Sequence, residues 1–110
     1  MNLTGLKPRA IKLSGGERYQ RLLKEGSDTE NIKSGFVVLK PQESVGEHVT
    51  EKREEVIIIL DGQAQISCQG AEPITANKET VIYIPAEKKH DIKNIGDELL
   101  RYVYVVSLKD

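Results

Sequence analysis

The stretch Glu55-Val56-Ile57-Ile58-Ile59-Leu60-Asp61-Gly62 decides the fold class. Its β-branched run suits a pleated strand and is too short for a helix of ordinary length. Asp61-Gly62 follows at once, and glycine tolerates the positive φ that a tight hairpin turn demands. The run from Ala64 to Cys68 then resumes as a second strand.

The same grammar holds on either side. Gly35 to Lys40, Thr80 to Ile84 and Leu99 to Val106 are short apolar runs of strand length, rich in β-branched and aromatic residues. Asn94 to Asp97 reads as another turn. Tyr19 to Lys24 fits a short helix or a strand, and residues 25–33 read as a polar loop. Many short strands with turn signals between them predict an all-β sandwich or barrel. With 110 residues, the length is that of one domain. Residues 1–33 are expected to form an N-terminal strand or loop segment packing on a barrel of residues 34–110, or on a partner subunit.

The apolar runs also bear on assembly. A half-exposed strand should alternate apolar and polar residues. Val56 to Leu60 and Tyr102 to Val106 do not alternate, so both of their faces seek cover. A barrel wall has one interior, and a homodimer is expected to supply the second cover.

Composition narrows the partners. The net charge is −1, and the 30% charged residues are of mixed sign, so no concentrated basic face is available for nucleic acid. The N-terminus lacks the apolar run of a signal peptide, and no stretch approaches the roughly 20 apolar residues of a membrane helix. A cytoplasmic protein without membrane contact is the expectation. The single cysteine, Cys68, excludes an internal disulfide and a cysteine-based zinc cage, and reads as a small thiol packed in a strand.

The chain has two histidines, His48 and His90. Seven residues after His48 comes Glu55, and if it shares the side of Ile57 and Ile59 it faces the interior. A buried carboxylate needs a cation or hydrogen-bond donors. Two imidazoles and a carboxylate suit iron, zinc, manganese or nickel and leave coordination positions open. Ile57, Ile59, Tyr83, Tyr102 and Tyr104 are candidates for lining the cavity around them.

The stretch from Gln42 to Gly62 resembles the first sequence motif of the cupin superfamily. His48 falls on its first histidine, Glu55 on its glutamate and Gly62 on its closing glycine. Glu79 to Asn94 resembles the second motif, with Pro85, His90 and Asn94 at its proline, histidine and asparagine. The resemblance spans about residues 34–106 and implies a jelly-roll antiparallel β-barrel. Thr50 stands where the family has a second histidine, Gln42 and Glu79 stand at motif glycines, and Glu87 replaces the glycine after the proline. The implied metal set is therefore His48, Glu55 and His90, with Thr50, Glu51 and Asn94 as candidate extra ligands or pocket residues. The function implied is binding of a carbohydrate-like or carboxylate-bearing metabolite at a divalent metal, with isomerase-type chemistry in reach. A metal-free ligand-binding or sensor module and an iron-dependent dioxygenase are the alternatives.

Overall fold

In the computed structural model, which describes residues 6–14 and 16–107, eight strands carry the chain. They are β1 (Tyr19–Leu23), β2 (Ile32–Leu39), β3 (Glu54–Asp61), β4 (Gln63–Cys68), β5 (Ile74–Asn77), β6 (Thr80–Ile84), β7 (His90–Asn94) and β8 (Leu100–Ser107). All pair antiparallel, in a five-stranded sheet of order β1-β2-β8-β3-β6 and a three-stranded sheet of order β5-β4-β7. Residues 42–48 extend the smaller sheet irregularly, hydrogen-bonding to β7 at Asn94, Ile92 and His90. This is the all-β jelly roll expected, although among the described residues the hydrogen bonding does not close into one cylinder. No helix there is long and apolar enough to cross a membrane.

Strand register sorts side chains into rows. Facing inward are Lys33, Val106, Glu55 and Ile84 in one row, and Gly35, Tyr104, Ile57 and Ile82 in the next. Val37, Tyr102 and Ile59 form a third. Leu39, Ile57, Ile59 and Leu100 of this sheet are fully buried with Ala64, Ile66 and Ile92 of the other. The hairpin at Gly62 has φ 95° as its sequence requires, and a Cβ there would lie 2.6 Å from the Leu99 carbonyl oxygen.

The outward rows are apolar too. Phe36, Val103, Ile58 and Val81 lie side by side, with Val105, Val56 and Tyr83 beside them. Phe36 is fully buried, and the Arg101 guanidinium stands 5.1 Å over its ring. Toward β6 the cover ends: Val81 is 64% exposed and Tyr83 56%.

Several expectations change. Tyr19 to Leu23 is a strand, and it pairs with β2 at the edge of the larger sheet. Strand β2 begins at Ile32, so it runs through the boundary drawn at residue 33 and takes the end of the predicted loop. Strands β5 and β7 carried no apolar run. In β7 the three buried residues are His90, Ile92 and Asn94, so two of the three inward positions are polar and the hydrophobic pattern is silent. Where the motif glycines are lost, their backbone is kept: Gln42, Glu79 and Glu87 have φ of 71°, 63° and 64°.

Candidate metal centre

His48 and His90 stand opposite each other because the backbone pairs them. The His48 N–H donates to the His90 carbonyl at 3.0 Å, and the His90 N–H to the His48 carbonyl at 2.9 Å. Directly opposed residues of an antiparallel pair project to one side, and the two ring centroids lie 4.2 Å apart. Glu55 reaches the same point from β3 in the facing sheet. One donor atom from each of the three lies within 4.8 Å of the others.

Each ring is oriented by a carbonyl two residues earlier. His48 Nδ1 lies 2.9 Å from the Gly46 oxygen, and His90 Nδ1 lies 3.1 Å from the Lys88 oxygen. A carbonyl only accepts, so each Nδ1 carries a proton and each Nε2 is turned toward the cluster. His90 Nε2 stands 3.0 Å from Glu55 Oε1. These two residues are 1% and 4% exposed, so no water shell separates them. A bare lone pair against a carboxylate in that setting is repulsive unless a proton or a metal cation joins them. The His90 pKa is raised accordingly. Burial works against the charged ring, but the Glu55 hydrogen bond, the Lys88 carbonyl and the Glu55 and Asp91 carboxylates outweigh it.

This donor set fits a divalent first-row metal. Two imidazoles with their second nitrogens already anchored, plus one carboxylate, match the ligand chemistry of such ions. His48 is exposed, so the cluster can be reached by an ion from solvent.

A cavity of about 220 Å³ opens from the cluster. Its walls are Val37, Val45, Ile92 and Val106, with Thr50, Tyr19, Tyr102 and Tyr104 adding hydroxyls and Lys33 at its mouth. Burial, then the Glu55 carboxylate, pushes the Tyr102 hydroxyl up. Burial and the hydrogen bond shared with the Tyr19 hydroxyl do the same for Tyr104. Both phenols therefore remain hydrogen-bond donors.

The other predicted site residues separate. Thr50 borders the cavity, but its hydroxyl donates to the Arg53 carbonyl at 2.9 Å and closes a turn. Glu51 is exposed at φ 53° in that turn and does not join the cluster, because the turn directs it to solvent. Asn94 is a strut rather than a ligand. Its Nδ2 donates to the carbonyls of Leu39 and Glu98, and its Oδ1 accepts from the Gly96 N–H. Tyr83 lies on the outer face and donates to Glu54, since strand period places it opposite to Ile82 and Ile84. Ile57 and Ile59 do point inward, but into packed core and not onto the cavity.

Sequence reasoning missed Tyr19, Lys33, Val37, Val45, Ile92 and Val106 as lining residues. A strand reading of Tyr19 to Leu23 was the available signal for the first; Val45 lies in a loop with no pattern to mark it.

Two facing antiparallel sheets with a His/Glu/His cluster between them define a small jelly-roll protein of the double-stranded β-helix type. The chain belongs to the cupin-domain family, whose family model matches residues 35–106. The polyketide synthase CurC of Streptomyces cyaneus is 27% identical over 73 residues, 66% of this chain and 47% of that protein. The chain thus spans about half the length of that curated relative. A cupin 2 conserved barrel domain protein from Salinispora arenicola superposes with a TM-score of 0.75 at 23% identity, covering 92% of this chain and 89% of that one. A predicted oxalate decarboxylase from Thermotoga maritima gives 0.68 at 19% identity, covering 91% and 100%. At these identities the structural likeness shows the fold alone.

Proposed function

We propose that the protein binds a small carboxylate-bearing metabolite at a divalent metal held by His48, Glu55 and His90. One observation carries this reading: the buried His90 ring has an oxygen facing each nitrogen, and the second of them belongs to a buried carboxylate. When bound, the metal supplies Lewis acidity to an oxygen of the ligand. Thr50, engaged in its turn, leaves a coordination position to that ligand. Tyr102 and Tyr104 donate hydrogen bonds, and the valine and isoleucine walls exclude water.

Those walls favour one of the two ligand classes. A sugar ring buried against Val37, Val45, Ile92 and Val106 leaves hydroxyls unpaired, whereas a carboxylate on an apolar body does not. Calorimetric titration of metal-loaded and chelator-treated protein with short carboxylates and monosaccharides tests the reading. Carboxylates are expected to bind the loaded form more tightly than the chelator-treated one. Equal binding after chelation points instead to a metal-free sensor module, and oxygen uptake confined to the iron form points to a dioxygenase.

A homodimer completes this reading, with a second copy covering the outer rows of β3, β6 and β8. A two-fold axis across the strands superposes the apolar patch on itself.

A further inference from the structure

Beside the metal cavity lies a second one of about 270 Å³, and Arg21, Lys24 and Lys33 line it. The two cavities share Tyr19, Tyr104 and Lys33. The tyrosines are the partition, with near-parallel rings 6.5 Å apart and hydroxyls 3.0 Å apart. Gly35 makes that arrangement possible, since a Cβ there would lie 2.7 Å from ring atoms of both.

The charge in this second cavity is uncompensated. Among the described residues, none of Arg21, Lys24 and Lys33 forms an ion pair. One carboxylate, Glu25, also lines the space, and both terminal guanidinium nitrogens of Arg53 already engage it. Three cations gathered in one concavity repel each other and favour an anion among them. Arg21 also acts at the partition, where its charge opposes the burial that raises the Tyr104 hydroxyl. Lys33 shares an inward row with Glu55 two strands away, a span of roughly 10 Å.

We propose that this second cavity is an oxyanion subsite, taking the far carboxylate or phosphate of a ligand whose near end lies at His48, Glu55 and His90. The near end rests on the metal-site reading; the subsite rests on its own residues. Arg21 offers a planar fork to paired oxygens, and the two lysines add point charges.

Two arms test it. In chelator-treated protein, titration with inorganic phosphate is expected to shift the backbone amide resonances of Arg21, Lys24, Lys33 and Ser34 saturably. The double variant Arg21→Gln/Lys24→Gln, which leaves Lys33 at the mouth of the metal cavity in place, should abolish those shifts. In metal-loaded protein, longer linear dicarboxylates should bind at least about tenfold tighter than monocarboxylates of equal length, the ratio of one charge-assisted contact. The double variant should erase that advantage while keeping metal content and monocarboxylate affinity. Shifts without a dicarboxylate advantage assign the subsite to phosphate-bearing ligands, and the advantage without shifts assigns it to carboxylates. Absence of both overturns the proposal. A wild-type protein that holds no metal sinks the near-end reading and leaves the phosphate arm to decide the subsite.

Discussion

His90 and Glu55 meet at 3.0 Å, Nε2 to Oε1, with both side chains almost wholly buried. The other ring nitrogen is committed to the Lys88 carbonyl. The pair therefore needs a positive charge, and a proton and a metal ion compete to provide it.

Chelator-treated protein should accordingly lose stability as the solution turns alkaline. A free histidine titrates near 6.5 and folded His90 above it. A group whose folded pKa is raised stabilises the fold fully below its unfolded value, and that contribution disappears as pH rises through the folded value. Thermal midpoints measured upward from slightly acid pH, above the carboxylate range, should fall across this window. Glu55→Gln should flatten the slope, and a midpoint that climbs through the window contradicts the account.

Restoring glycine at the positions with left-handed backbone should stabilise the chain. A side chain at positive φ costs ~1–2 kcal/mol, and the extra unfolded-state freedom of glycine takes back ~0.5–1 kcal/mol. Gln42→Gly, Glu79→Gly and Glu87→Gly are each expected to add about 0.5–1 kcal/mol in urea denaturation. Losses at all three would show that these side chains hold their turns together.

Gly35→Ala should do the opposite. The new methyl group meets both tyrosine rings at 2.7 Å, and overpacking of this kind costs ~1–3 kcal/mol. Measured against a Tyr104→Ala background, much of the cost of Gly35→Ala should be recovered, because one wall of the clash is gone. No recovery would place the strain in the strand itself.

These residues also show what sequence can and cannot display. The apolar runs of β3, β6 and β8 announce themselves, and the motif spacing puts His48, Glu55 and His90 forward because few residue types could serve. Strand β7 stays hidden since its inward residues are histidine and asparagine, whose burial depends on Glu55, Leu39 and Glu98 far away in sequence. Lys33 reads as a loop residue until strand register sets it in the row of Glu55. Tyr83 misleads because an all-apolar strand gives no sign of which face looks inward. Only pairing with β3 settles that.

The outer face gives a separate test. Light scattering at micromolar concentration should return the mass of a dimer, and Val81→Lys should return a monomer with the fold intact by circular dichroism. A wild-type monomer at that concentration contradicts the dimer.

Elemental analysis of the purified protein tests the central claim most directly. After reconstitution with manganese, iron(II), nickel or zinc and exhaustive dialysis, the wild type should retain about one ion per chain of at least one of these metals. His90→Ala and His48→Ala should lose it. Metal that is absent from the wild type, or that ignores both substitutions, would contradict the account.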